Sequence, residues 1–323
     1  LSHAYGGSIQ RLFSATLRVR NRWQHEIVRK GKVDSMDLGI LIYQVFYGLT
    51  TGIAYVVFAL GLTLMLGVMG ILNVAHGEIY MISAMLYCSL IYYLGLNYFL
   101  SAILAIAFVC ALGIVCSKIA VEPLLKSQNP LLAIILSTLA ISMMLMNGSV
   151  LLWGATTVPA QLPLQGELHV GGLLIPKARV GLSGFGAAAV CLLYLFLEKT
   201  VMGKVVRATS QNRLAASLMG INLRRVYTFS FAIASVLAGL AGILIAPIWV
   251  SNPFMGQSMI LKGFIVVIVG GLGNIRGAIL IGLLLGLAEA FTGHFVSVYY
   301  RETMGYVLMI LILIVKPKGL FAR

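Results

Sequence analysis

The chain has 323 residues, of which 60% are hydrophobic and only 10% charged, with a formal net charge of +14 and a mean hydropathy of +1.00. A soluble domain carries about 25% charged residues, so this composition cannot cover a water-facing surface and excludes a soluble globular protein. Apolar runs reach the ~20 residues that cross a bilayer as helix, whereas membrane barrels use strands of about ten. The fold class is therefore an all-α, polytopic transmembrane helical bundle.

Residues 1–37 are polar and arginine-rich, with Arg11, Arg18, Arg20, Arg22, Arg29, Lys30 and Lys32 against Glu26, Asp34 and Asp37. They lack an apolar core of the kind a signal peptide needs. The Arg-rich, acid-poor start also suits a transit peptide. The reading adopted is a basic cytoplasmic tail lying on anionic lipid, followed by a membrane domain over 38–323. Most of the remaining positive excess sits at 198–225 and at Lys316, Lys318 and Arg323, next to apolar runs. That is the positive-inside pattern, and it replaces nucleic-acid binding as the reason for the charge.

Apolar segments follow at roughly 38–66, 77–94, 98–120, 131–153, 180–198, 226–250, 258–291 and 304–316. Small residues at helical spacing, Gly48/Gly52, Gly282/Gly286 and Ala234/Ala238/Gly242, let helices approach closely. The stretch 153–180 holds Pro159, Pro163, Gly166, Gly171, Gly172 and Pro176 and reads as an external loop. The run 258–291 is interrupted by Gly270-Gly271-Leu272-Gly273-Asn274-Ile275-Arg276-Gly277, which fits two short helices meeting at a turn. Broken helices persist in membranes only where protein or a cavity surrounds them. Crossing parity is consistent after residue 225. Before residue 198, five simple spans put the basic tail outside, and an extra crossing or re-entrant piece near 60–77 is expected to restore it.

Asn73-Val74-Ala75-His76-Gly77-Glu78 is the most polar point in the first embedded region. An intramembrane carboxylate marks a functional site by default, and His76 is placed to hydrogen-bond Glu78. The same residues also suit a helix cap. Glu289 lies in a long apolar run with His294 after it; it reads either as a polar contact between helices or as a helix-end residue at the interface. Lys262 begins a short helix and is expected to snorkel. Asn73-Val-Ala-His76-Gly77 and Asn274-Ile-Arg276-Gly277 resemble each other weakly, as internal repeats of transporters do. Asn73, His76, Glu78, Asn274 and Glu289 are the candidate pathway residues. The four cysteines, Cys88, Cys110, Cys116 and Cys191, lack metal-ligand spacing and read as core thiols.

The segment 198–225 is a basic elbow between two spans, carrying Lys199, Lys204, Arg207, Arg213, Arg224 and Arg225. Ala208, Asn212, Ala215 and Met219 recur at i, i+4, i+7 and i+11, one face of a short helix. That small-residue face suits a docking partner. No phosphate loop, H-E-x-x-H or G-x-S-x-G pattern occurs, and no aspartate lies within a span, so the chain is not read as an enzyme.

Four stretches carry a family resemblance: Gly67-Val-Met-Gly-Ile-Leu-Asn-Val-Ala-His-Gly-Glu78; Gly203-Lys-Val-Val-Arg-Ala208 with Ala215-Ala216 and Gly220-Ile-Asn222; Ala238-Gly-Leu-Ala-Gly242; and Lys262-Gly-Phe with Gly270-Gly-Leu-Gly-Asn274 and Gly277-Ala278. The close Lys316-Pro-Lys-Gly-Leu-Phe321 fits as well. From about residue 40 onward the chain resembles the LivH-type permease subunits of ABC importers for branched-chain amino acids. The resemblance implies a bacterial inner-membrane permease domain with a second, homologous permease, two cytoplasmic ATPases that use ATP and Mg, and an external solute-binding protein. It implies that Gly203, Arg207, Ala208, Asn212, Ala215, Ala216, Gly220 and Asn222 belong to the ATPase-coupling segment. No cofactor is expected on this chain. Similar permeases serve urea and short-chain amides, the alternative cargo; a secondary transporter or channel is the alternative of another class.

Overall fold

The computed structural model describes residues 38–159, 166–170, 173–317 and 319–321. The chain divides after Ile42; residues 38–42 are the described part of the first unit, and the architecture below is that of the unit from Tyr43 onward. The tail at 1–37 lies outside the described residues.

The helices are α1 (Leu38–Met69), α2 (His76–Leu94), α3 (Tyr98–Cys116), α4 (Pro130–Trp153), α5 (Lys177–Lys199), α6 (Val201–Gln211), α7 (Arg213–Leu218), α8 (Leu223–Ile245), α9 (Met255–Gly270), α10 (Ile275–Phe295) and α11 (Arg301–Val315). Eight segments among the described residues are long and apolar enough to cross a bilayer, and α9 is a shorter apolar helix. Local chemistry sets their ends. Gly95 at φ 65° closes α2 with its N–H on the Ile91 carbonyl while Leu96 N–H takes the Leu90 carbonyl, and the Asn97 side chain then accepts from Phe99 N–H to open α3. A left-handed glycine followed by an Asn cap is the expected stop and start signal. The external stretch contains a two-stranded antiparallel hairpin, β1 (Glu167–Val170) with β2 (Leu173–Pro176), where the sequence reading had only a loop.

Burial sorts the helices. In α1 83% of the apolar window is buried, against 17% for α4 and for α5 and 6% for the span ending in α11. The apolar outer faces of α4, α5 and α11 are therefore the exposed sides of the bundle. The glycine patterns of α1 and α10 meet one another: a Cβ on Gly48 would lie 2.8 Å from Leu287 Cα, and one on Gly52 would lie 2.9 Å from Leu283 Cα. Backbone packs on backbone there, as small-residue interfaces allow.

Contacts fix the direction of each helix. Arg213 Nε donates to Val68 O at 3.1 Å, which holds the end of α1 at the elbow. Glu122, in the α3–α4 connection, accepts from Thr228 Oγ1 at 2.7 Å, beside the same elbow. At the far end Tyr47 of α1 lies under the Arg179 guanidinium, 4.0 Å from its ring, and 5.6 Å from that of Arg301. Helices α2 and α4 run parallel: Val74 with Thr138, Glu78 with Ser142 and Ser89 with Trp153 are bonded pairs, each separated by 64 positions. From Tyr43 to the elbow there are thus five crossings, by α1 to α5. Of the two features expected near 60–77, the extra crossing is not there: residues 60–69 continue α1, and 70–75 fold back, bringing His76 to within 3.4 Å of Phe58 O, a re-entry that leaves the number of crossings unchanged. The expected break at 270–277 is present as a turn between α9 and α10, although α10 is a full-length helix rather than a short one.

Candidate functional site

The polar stretch 73–78 is buried at the start of α2. Asn73, His76 and Glu78 are 1%, 0% and 2% exposed. Asn73 Oδ1 accepts from Ala75 N–H at 3.1 Å and so folds the chain into the helix. The His76 ring packs over Gly61, where an added Cβ would come within 2.8 Å of it, and Nε2 is 3.4 Å from Phe58 O. Glu78 does not bond His76, contrary to the sequence expectation. Its Oε1 accepts from Ser142 Oγ at 3.1 Å on α4, while Oε2 faces Gly256 at the start of α9. The side chains at positions i and i+2 diverge because a helix turns about 100° per residue. His76 Nδ1 and Glu78 Oε2 have no hydrogen-bond partner among the described residues. Unpaired polar atoms in a bilayer interior are costly, and this cluster holds two of them close together in sequence.

Glu289 belongs to a second buried centre nearer the far end. Tyr55 donates its hydroxyl to Glu289 Oε2 at 2.6 Å, and Lys262 Nζ donates to Tyr55 Oη at 3.0 Å and to Glu289 Oε2 at 3.2 Å. The ammonium lies 3.1 Å from the other carboxylate oxygen and 4.8 Å from the Trp249 ring. Lys262 is 4% exposed and does not snorkel: α9 starts at Met255, so residue 262 lies two turns inside the helix. Glu289 is likewise an inter-helix contact and not an interfacial helix end. The two centres are linked by an aromatic run. The Phe58 ring is 4.8 Å from His76 and 5.6 Å from Tyr80, and Tyr80 lines a cavity of about 240 Å³ together with Trp249 and Lys262.

Asn274 is not part of either centre. It caps α10, accepting from Gly277 N–H at 3.1 Å, and donates to Phe321 O at 2.7 Å, where the carboxyl end folds back on the α9–α10 turn. The likeness between the two Asn-containing stretches is thus one of helix starts. Tyr55, Phe58, Ser142 and Trp249 were not identified from the sequence; the isolated Lys262 within an apolar run was the one available signal.

The elbow is two helices, not the single one its periodicity indicated. Asn212 is extended at φ −154° and its Oδ1 accepts from Ala215 N–H at 3.0 Å, so it ends α6 and caps α7. Asn222 caps α8 in the same way, accepting from Arg225 N–H at 3.2 Å. Gly203 is buried against the end of α5, where an added Cβ would come within 2.6 Å of Leu197 Cα, and Ala216 is buried too. Arg207 pairs with Glu198 at 2.8 Å, while Ala208, Asn212, Ala215, Gly220 and Asn222 are exposed. The outward apolar points are Leu214, Leu218 and Met219, at 72%, 79% and 83% exposure. Leu214 and Leu218, at i and i+4, share one face of α7, and Met219 follows at its end. This patch, and not the small residues alone, is what the elbow exposes.

Residues 44–315 match the family model described as branched-chain amino acid transport system / permease component. The high-affinity branched-chain amino acid transport system permease protein LivH of Escherichia coli K12 is 31% identical over 298 residues, 87% of this chain and 96% of the relative. The LivH protein of Salmonella typhimurium is 32% identical over the same coverage, and the permease protein BraD of Pseudomonas aeruginosa is 31% identical over 296 residues, again 87% and 96%. The matched region holds both buried centres and the elbow between them in sequence. The chain belongs to the family of branched-chain amino acid transport system permease components.

Proposed function

We propose that this multi-pass protein of the cytoplasmic membrane lines the translocation path of an ATP-driven importer for branched-chain amino acids. It would pair with a homologous permease, receive cargo from an external solute-binding protein, and dock two cytoplasmic ATPases that supply ATP and Mg chemistry; the chain itself would hold no cofactor. The observation that carries this reading is the exposed Leu214, Leu218 and Met219 patch at the end of the bundle where Arg213 grips Val68 O. An apolar helix end seated in a partner's groove would transmit a push to α1. That helix carries Tyr55 and Phe58, the members of the two buried centres.

The test is uptake into proteoliposomes holding the permease pair, the ATPases and the binding protein. Leucine should accumulate only with ATP, and urea should not compete. Accumulation without the ATPases, or urea uptake in place of leucine, overturns the reading. Leu214→Asp with Leu218→Asp is expected to lower ATPase co-purification by more than about tenfold, the scale set by losing an anchor worth about 2 kcal/mol. Undiminished co-purification would remove the elbow from the interface. Gly203 is a poorer probe, because its substitution disturbs α5 first.

The inner cluster has its own test. Asn73→Leu removes the acceptor for Ala75 N–H, a loss of about 1–3 kcal/mol at a buried donor, and is expected to reduce uptake while the complex still assembles. Wild-type transport in that variant would make Asn73 a scaffold residue.

A further inference from the structure

Beyond the line of α1 there is a built cavity with opposite charges at its polar points. It measures about 240 Å³ and is lined among others by Tyr80, Trp249, Ser258, Met259, Lys262 and Glu302. Lys262 reaches it from the interior at 4% exposure, whereas Glu302 stands on its rim with its side chain 60% exposed. An ammonium has three donors. Tyr55 Oη and Glu289 Oε2 take two of them. Glu289 Oε1 lies 3.1 Å from the ammonium but takes no hydrogen bond, and the Lys262–Glu302 separation of 3.7 Å is longer than one, so the third donor is available to a ligand. Glu289 already offsets the lysine charge, which leaves the rim carboxylate as an acceptor for a cationic group.

We propose that this cavity is a subsite for a free α-amino acid, with Lys262 Nζ donating to its carboxylate and Glu302 accepting from its ammonium. The neighbouring charges of a zwitterion match a cation and an anion placed side by side. Tyr80, Trp249 and Met259 then supply an apolar wall for a branched side chain, in a pocket of the few-polar-group type that small ligands occupy. Urea has neither charge, so the site distinguishes the two cargo classes by electrostatics. This inference rests on the importer reading, and its experiment separates the two.

The purified importer, without its binding protein, is titrated with leucine while Trp249 emission is followed, with Trp249→Phe as the blank. A saturable change is expected with leucine and none with urea. 3-Methylbutylamine, which lacks the carboxylate, and 4-methylpentanoate, which lacks the ammonium, should each half-saturate at least about tenfold higher, as should leucine with the E302Q variant; losing one charge-assisted hydrogen bond is of that size. Glu302 is on the rim, so that substitution leaves the interior packing intact. No saturable change in a preparation that still imports leucine overturns the subsite and spares the importer reading. Equal half-saturation for leucine in E302Q and wild type, or equal binding of the amine, overturns the assigned contacts. A preparation that imports urea and not leucine overturns both.

Discussion

Gly286→Leu is expected to abolish recovery of folded protein, and Gly286→Ala to lower it sharply. A Cβ at this position would meet Gly52 Cα and Gly52 N at 2.5 Å, with the Gly48 carbonyl on the same side. These are backbone atoms of α1, a helix buried along 83% of its apolar window, and they cannot rotate away as a side chain does. Overpacking a core costs about 1–3 kcal/mol when side chains can shift; here whole helices must separate, so the cost exceeds that range. Gly184 serves as the control, since nothing lies within 4 Å of its added Cβ. Gly184→Ala should preserve yield and melting temperature, which size-exclusion profiles and thermal unfolding in detergent will report. A monodisperse Gly286→Leu protein with unchanged melting would contradict the α1–α10 packing.

Lys262→Met is expected to be the most damaging single change to a charged residue. It leaves the Glu289 carboxylate, 2% exposed, with Tyr55 as its remaining hydrogen-bond partner. Removing one member of a buried ion pair costs about 3–5 kcal/mol, whereas removing both is often nearly neutral. The double variant Lys262→Met, Glu289→Gln should therefore recover most of the stability that the single variant loses. A double-mutant cycle on thermal or denaturant unfolding measures this coupling. Additive losses would mean that the two side chains do not stabilise one another.

The sequence reading reached the helices because apolar run length and punctuation by Gly, Asn and Pro are local properties. Gly95, Asn97 and Pro130 sit where the chain stops and starts. It reached the small-residue faces of α1 and α10 separately. That these faces meet is a relation between residues more than 200 positions apart, as is the bond from Tyr55 to Glu289, separated by 234; no local pattern encodes either. Lys262 was misplaced because the helix start was set at the apolar run near 258, and the true start at Met255 carries it inward. At Asn212 the helical spacing from 208 to 219 concealed a side chain that competes for a backbone N–H. Asn does this readily, which is why it favours caps over helix interiors. His76 and Glu78 were correctly singled out as buried polar groups, but their partners, Phe58 O and Ser142, came from other helices.

The uniform spacing of 64 between bonded residues of α4 and of α2 with the turn before it also limits how this molecule can deform. Three rungs along two parallel helices behave like a ladder: sliding one rail shears every rung at once. If access to the two sides of the bilayer alternates, that pair should travel as a single strut. The slip planes would then be the surfaces without rungs, such as the glycine contact of Gly77 with Gly256, where bare backbone faces bare backbone.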